Sequence, residues 1–395
     1  MNVAVIEPKW DGHHPTYFRE YVLALAELGC RVHAFCPRPD DEMLCPLREG
    51  PHSGSISLHQ WAPPQVGVRP RRFNPRINWW LAFRWLKGRL RNIENFEDAR
   101  FDLLFFACLY DGDLQYFPRS LPWKWAGLYI HVRAFRKPGS PAPYSSLIPD
   151  PERWFRRPDV AGLALLDEGA VQFMRSKTGH ANIVTFPDFT DETVPVCDGV
   201  AAELAAFAAG RPIIGMAGHL HPTKGVCVFA EVAEQMKSEN VVFALVGELM
   251  SGLFSEQDHA LLQRVLALPN VFSHLKRLPD GASFNGVVRC FDVFFAAYLD
   301  FPNSSNTLAK AALFRRPVIV SEGYLMAERV RNFGLGVVVS EGDADAAATA
   351  VRKLLRSPRA VEDCGHAEYL AQHSRLRLLK SFEELIRGMS TGNES

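Results

Sequence analysis

Two consecutive α/β domains, each a largely parallel sheet covered by helices, are the architecture this sequence predicts. Short apolar runs alternate with amphipathic helical runs in the strand–helix–strand order that builds parallel sheets. The strand-like runs of the C-terminal half are almost continuously hydrophobic, as strands covered on both faces are. A chain of 395 residues also exceeds what one ordinary core holds, which favours two domains.

The first run, 3–6, is a short apolar strand. The turn GHHPTY follows, and 17–29 reads as a helix in which Tyr21, Leu25 and Leu28 recur at helical spacing and Gly29 supplies the stop. CRVHAFCP is the next strand. Further strands are expected at 102–109, 126–131 and 160–166, while the Pro-, Gly- and Ser-rich stretch 42–75 reads as an irregular excursion. Around 187–210 the polar, Pro-broken PDFTDETVPVCDG leads into the short helical run AAELAAFAAG, the expected linker. A second series then supplies RPIIGMAG, VVFALVGE, NVFSHL, CFDVFFAAY, RPVIVSE and GLGVVVSE as strands, with GVCVFAEVAEQMK and DHALLQRVLALP as helices between the first three. Amphipathic helices over 345–356 and 367–387 close the chain. The expected division is a first domain over 1–187, a linker over 188–210, a second domain over 211–365, and a C-terminal helix with a frayed tail over 366–395 that packs back on the first domain.

Hydrophobic residues at 47% and charged residues at 22% describe a globular chain. Lys plus Arg equals Asp plus Glu at 44, so net charge exerts no pull toward nucleic acid, and no nucleic-acid partner is expected. The eight cysteines form no CxxC pair and mostly sit in apolar runs, which suits buried, reduced thiols in a cytoplasmic protein. The opening MNVAVIEP enters a strand directly, which argues against a signal peptide. No run reaches the roughly 18 apolar residues of a spanning helix. The chain is expected to touch a membrane at most, peripherally and at its inner face, and not to cross it.

Chemistry concentrates in three places. In GMAGHLHPTKG, residues 215–225, a strand ends, Gly218 lets backbone come close to a ligand, and Lys224 opens the next helix within reach of a phosphate. The alternative is a surface lysine at a helix start. In 300–322, Asn303, Ser304, Ser305, Asn306 and Thr307 precede the helical TLAKAALF; such residues expose free N–H groups and donate to phosphate oxygens, or serve as an ordinary N-cap. In DGHHPTYF, 11–18, at the C-terminal end of the first strand, Gly12 permits close approach, and His13 and His14 either contact a ligand or simply face solvent. The stretch 69–91 carries eight basic residues and no acidic one. As a helix it presents Trp79, Phe83, Leu86 and Leu90 on one stripe and Trp80, Arg84, Lys87 and Arg91 on the next. That pattern suits either an anionic membrane surface or a structural helix with a solvated face.

The order of these motifs, a strand–loop–lysine, then VGE, then a polar helix start before RPVIV, resembles retaining GT-B glycosyltransferases of the large nucleotide-sugar family called family 4. The resemblance implies two Rossmann-like domains facing a central cleft, with a nucleotide-sugar donor on the second and a glycan or lipid-linked acceptor on the first. It places Lys224 as the phosphate-binding lysine and His219 where an arginine usually stands. Gly218, Ser305, Asn306 and Thr307 complete the implied diphosphate contacts, and Glu248, Asp300 and Lys310 are candidates for the donor sugar or nucleotide. It matches His131, in GLYIHVRAF, to a cleft histidine with a catalytic role beside Lys224, and leaves Gly12, His13, His14 and Arg133 on the acceptor side. The paired glutamates of that family fall at Pro302 and Lys310, so nucleotide recognition here is altered or lost. The function expected is metal-independent, retaining sugar transfer to a hydroxyl, with no cofactor beyond the nucleotide-sugar substrate. A GT-B-fold binding or scaffold protein, or another nucleotide-sugar enzyme such as an epimerase, is the alternative.

Overall fold

The computed structural model describes residues 1–64, 74–114, 116–130, 132–136, 150–278, 280–356 and 363–391. The chain divides into two compact units, Met1–Pro187 with Arg375–Ser395, and Asp188–Ser374.

In the first unit, β1 (Asn2–Ile6), β2 (Arg31–Cys36), β3 (Ile56–Gln60), β4 (Leu103–Leu109), β5 (Trp125–Tyr129), β6 (Val160–Leu165) and β7 (Ile183–Thr185) form one sheet. Its order is β3-β2-β1-β4-β5-β6-β7, with every pairing parallel. The connections carry α1 (His14–Glu27), α2 (Cys45–Glu49), α3 (Asn74–Glu97), α4 (Asp111–Leu114), α5 (Arg133–Arg136) and α6 (Ala170–Thr178). Strand order reverses at β1, which pairs with β2 on one side and β4 on the other. Ligands of such sheets bind beyond the strand ends at this switch point.

One face of the sheet is covered by α1, which buries Phe18, Tyr21, Val22 and Leu25. The opposite face is covered by α3 through Phe83, Leu86 and Leu90, with Trp79 partly buried beside them. The neighbouring stripe of α3, Trp80, Arg84, Lys87 and Arg91, is exposed, and the Arg84 guanidinium sits 5.5 Å from the Trp80 ring centroid. Meanwhile the acidic residues of α3 turn to protein partners: Glu94 accepts from Trp123 Nε1 at 2.8 Å, and Glu97 pairs with Arg31 at 3.1 Å. Residues 69–73 of the basic stretch lie outside the described residues, as do the side chains of 74–76.

Two expectations need correction. The stretch 42–75 is not irregular throughout, since it contains α2 and β3; β3 is a half-buried edge strand of five residues, too short and polar to stand out among prolines and glycines. The single helix expected over 367–387 is two, α14 (Asp363–Gln372) and α15 (Arg375–Thr391), broken at His373 and Ser374 where the chain passes back to the first unit. There Phe382 of α15 joins Tyr21, Phe105 and Phe186 with ring centroids 5.7, 5.0 and 4.8 Å away, and Arg375 pairs with Glu20 and Glu27.

In the second unit, β8 (Ile213–Ala217), β9 (Val242–Val246), β10 (Val271–His274), β11 (Val293–Ala296), β12 (Val318–Ser321) and β13 (Gly336–Val339) are also all parallel, ordered β10-β9-β8-β11-β12-β13. Helices α7 (Gly199–Ala208), α8 (Val226–Gln235), α9 (Glu256–Leu266), α10 (Ala282–Arg289), α11 (Asn306–Leu313), α12 (Leu325–Phe333), α13 (Ala344–Arg356) and α14 cover it. Phe243 and Leu245 of β9 enter one core while Val242, Ala244 and Val246 enter the other, which is why the strand reads as an unbroken apolar run. The switch point is β8, between β9 and β11.

The segment expected as a linker starts pinned. Asn306 Nδ2 donates to Phe189 O at 2.7 Å, and Asn285 Nδ2 donates to Thr193 O at 2.7 Å. Asp188, 2% exposed, accepts from the Ser304 hydroxyl and lies 3.6 Å from the Arg329 guanidinium. The Asp188 N–H donates to His373 Nδ1 at 3.1 Å, and burial with the nearby Arg329 charge pushes that imidazole down to about 2. The described cysteines are free thiols, and among the described residues no helix is long and apolar enough to cross a membrane.

Candidate functional site

The switch point of the second unit collects the residues that the sequence singled out. Strand β8 ends at Ala217, and Gly218 at φ 109° turns the chain in a conformation L side chains rarely adopt. A single 3₁₀ turn, Pro222–Lys224, leads to Gly225, also at positive φ (71°), where a Cβ would stand 2.2 Å from Ala297 O. Only glycine lets this loop press so closely on the chain leaving β11. The two loops are joined by Leu299 N–H donating to Thr223 O at 2.9 Å.

That contact brings Lys224 to the start of α11. Its Nζ lies 4.0 Å from the Tyr298 ring centroid and 5.0 Å from that of Phe301. The Tyr298 hydroxyl is 2.9 Å from Thr307 Oγ1 and 3.4 Å from Ser305 Oγ, and Ser305 caps α11 by accepting the Thr307 N–H. Burial on its own would raise the Tyr298 phenol; the Lys224 ammonium and the two hydroxyls bring it below its usual value. An ammonium, a polarised phenol, two hydroxyls and the positive end of a helix thus converge, the equipment of an anion site. Tyr298 is the member that sequence reasoning missed: it sits just past an apolar strand and reads as core.

Other sequence candidates are placed differently. Asn306 and Lys310 face the chain before α7: Asn306 Oδ1 accepts from Thr190 at 2.8 Å, and Lys310 Nζ donates to Asp191 O at 2.7 Å and Asn285 Oδ1 at 2.5 Å. Lys310 is only 3% exposed, and burial lowers its pKa against the pull of Asp191, Asp280 and Glu192. On the other side of the loop, His219 Nε2 lies 3.7 Å from Glu248 Oε2. His221 bonds Thr223 at 2.8 Å, and burial, Lys224 and His219 push it down to about 4, so it adds no charge beside Lys224 at neutral pH. Asp300, at φ 49°, accepts from the Tyr324 hydroxyl at 3.1 Å. Among the described residues no group of three or more His, Cys, Asp or Glu is arranged to hold a metal ion.

At the switch point of the first unit, Gly12 has φ 56°, His13 is the N-cap residue of α1 and His14 its first residue. His13 is exposed beside Tyr17, whereas His14 Nδ1 lies 2.9 Å from Glu7 Oε2. Glu7 and Tyr110 also escaped the sequence reading. His131 and the side chain of Arg133 lie outside the described residues.

Comparison with known proteins follows the same division. Residues 211–357 match the family model described as Glycosyl transferases group 1. No curated protein matches the chain by sequence. Among solved structures, the sucrose-phosphate synthase of Thermosynechococcus elongatus is similar at 16% identity, covering 99% of each chain with a TM-score of 0.70. A glycosyltransferase from Rickettsia africae is 12% identical over 98% of both chains at 0.68. Anabaena Alr3699/HepE, solved with UDP and glucose, is 13% identical over 98% of this chain and 99% of its own at 0.65.

Proposed function

We propose that this chain, a GT-B glycosyltransferase, moves a sugar from a nucleotide-diphosphate sugar to a hydroxyl of a glycan or lipid-linked glycan, with retention and without a metal ion. The observation that carries the reading is the convergence of Lys224, Tyr298, Ser305 and Thr307 on the start of α11, inside the segment that matches the family model. A departing diphosphate needs fixed positive potential where its charge develops, and Lys224 with the amide end of α11 supplies it. That HepE is solved with UDP and glucose supports a donor of the same class here. The order of motifs, shared with retaining enzymes, supports retention. Lys310, where that pattern has a glutamate, is committed to the chain before α7, so the ribose is held by other groups.

The test is a panel of nucleoside diphosphates followed by transfer with the matching sugar. A bound nucleotide at a hundredfold its Kd raises stability by about 2.7 kcal/mol, readable as a thermal shift. Transfer is expected to survive a chelator, and the product to keep the donor's anomeric configuration by NMR. Loss with EDTA restored by magnesium would overturn metal independence, and an inverted product would overturn retention. Binding without transfer would return the chain to a binding protein.

The face of α3 supports a second part of the reading, contact with an anionic membrane at the cytoplasmic side. Trp80 is 57% exposed beside Arg84, Lys87 and Arg91, while Glu94 and Glu97 are occupied by protein partners. Each basic residue near such a surface contributes about 1 kcal/mol, screened by salt. The protein is expected to co-sediment with anionic vesicles at low salt, much less with neutral ones, and to be released by raised salt. Changing Arg84, Lys87 and Arg91 together to Gln is expected to weaken sedimentation without lowering the unfolding temperature. Equal sedimentation of the triple variant would remove α3 from the interface.

A further inference from the structure

The polar run at the start of α11 sends its side chains two ways. Ser305 and Thr307 turn to the Tyr298 hydroxyl, beside Lys224. Ser304, Asn306 and Lys310 turn instead to the segment 188–191 and grip it in order. Ser304 donates to the Asp188 carboxylate. Asn306 holds the next two residues, its Nδ2 donating to Phe189 O at 2.7 Å and its Oδ1 accepting from the Thr190 hydroxyl at 2.8 Å. One helical turn further on, Lys310 Nζ donates to Asp191 O at 2.7 Å. The gripped segment is itself anchored by α10, where Asn285 Nδ2 donates to Thr193 O at 2.7 Å and Asn285 Oδ1 accepts from Lys310 at 2.5 Å. All of these residues belong to the second unit.

Phe189 and Thr190 are buried, where a polar group that loses its partner is costly. With its N–H on a carbonyl and its oxygen on a hydroxyl, the Asn306 carboxamide is fixed at both ends. α11 has only eight residues, and a helix so short takes its course from what holds it. Its own cap cannot serve alone, because the Ser305 oxygen that accepts the Thr307 N–H stands within the phosphate-facing group. A ligand that engages Ser305 and Thr307 competes for that cap.

We propose that Asn306 is a positioning residue of the diphosphate site: its hold on Phe189 and Thr190 fixes the direction in which α11 presents Ser305, Thr307 and its free N–H groups. This rests on the reading of Lys224 and the start of α11 as the donor site. Asn306 touches no phosphate. It keeps the first turn in place while the hydroxyls on the other side are given over to the ligand.

The experiment uses the tightest binder among UDP, ADP and GDP, set against its own nucleoside, with wild type, Asn306→Ala, Thr190→Val and the double variant, all well below their unfolding temperatures. Asn306→Ala is expected to weaken the diphosphate about tenfold, as when one charge-assisted contact is lost, with nucleoside affinity unchanged within about twofold. Loss of stability alone would leave the affinity of the folded variant as it is in wild type. Thr190→Val removes one of the two bonds at nearly constant volume and should cost about threefold. Because Thr190 acts through Asn306, the double variant should bind no worse than Asn306→Ala. Wild-type diphosphate affinity in Asn306→Ala, an equal loss for the nucleoside, or losses that multiply in the double variant would each overturn the role of Asn306 and leave the donor reading standing. If Asn306→Ala does not fold, Thr190→Val carries the test, and wild-type affinity there would overturn the proposal. A wild-type chain that binds none of the three diphosphates would overturn the donor reading as well.

Discussion

Changing Lys224 to Ala is expected to weaken nucleoside diphosphate binding about 10- to 100-fold and to cut transfer about 100- to 1,000-fold. The binding loss follows from removing a charge-assisted contact of about 1.5–3 kcal/mol. The larger loss in transfer follows because charge on the diphosphate grows as its bond to the sugar breaks, so the same ammonium matters more in the transition state. Titration calorimetry with the nucleoside diphosphate and with the bare nucleoside separates the two. The nucleoside should bind the variant nearly as it binds wild type, because it has no phosphate to lose. His221 cannot stand in for the lost charge, since burial and Lys224 itself hold it neutral at neutral pH. Unchanged diphosphate binding would move the donor site away from the start of α11.

The second large effect is on stability. Arg329→Ala is expected to destabilise the second unit by about 3–5 kcal/mol, the usual consequence of stripping one partner from a buried ion pair. Arg329 and Asp188 side chains are each 3% exposed at 3.6 Å, with the Ser304 hydroxyl bonded to both. The double change Asp188→Asn with Arg329→Met should recover much of the loss, because it removes both charges and refills the volume. Urea unfolding of the single and double variants checks this. An Arg329→Ala variant within about 1 kcal/mol of wild type would mean that the pair is nearly neutral in energy.

What the sequence disclosed and what it hid follow one physical line. Strands buried on both faces, such as β9, announce themselves by continuous hydrophobicity. The central strands β8, β9, β11 and β12 were legible for that reason, and the edge strands β10 and β13 through their own short apolar runs. The edge strands of the first sheet were not: β3 is half-buried and β7 has three residues, so neither leaves a pattern. The eight-residue α10 is too short for helical spacing to mark it, whereas α11, of the same length, is announced by the polar residues before it. Of the residues that meet at the start of α11, Lys224, Ser305 and Thr307 drew notice in the sequence because glycine and capping chemistry mark a loop entering a helix. Their partner Tyr298 did not, because an aromatic beside an apolar strand reads as core. Glu7 and Tyr110 were hidden for a different reason: they follow separate strands, β1 and β4, and only the parallel pairing of those strands sets them around His14. Position along α11 could be read from sequence, but not the direction of each side chain, so Lys310 was assigned to a ligand and is found holding the chain at Asp191.

The interrupted course of the first unit bears on how the chain is born. Its cover over β6 and β7 is not complete until α15 arrives, because Phe382 completes the aromatic group around Tyr21, Phe105 and Phe186, and Ser381 donates to Thr185 O at 2.8 Å. Yet α15 is synthesised after the whole of Asp188–Ser374, an uninterrupted unit. Domains ordinarily fold in the order they leave the ribosome. Here the half encoded second is the first able to finish, while the half encoded first waits with its β6–β7 edge bare. During that interval the open aromatic face is a ready target for chaperones and for self-association. Truncation just before Arg375 would make that waiting state permanent without touching a single residue of the loop that carries Lys224.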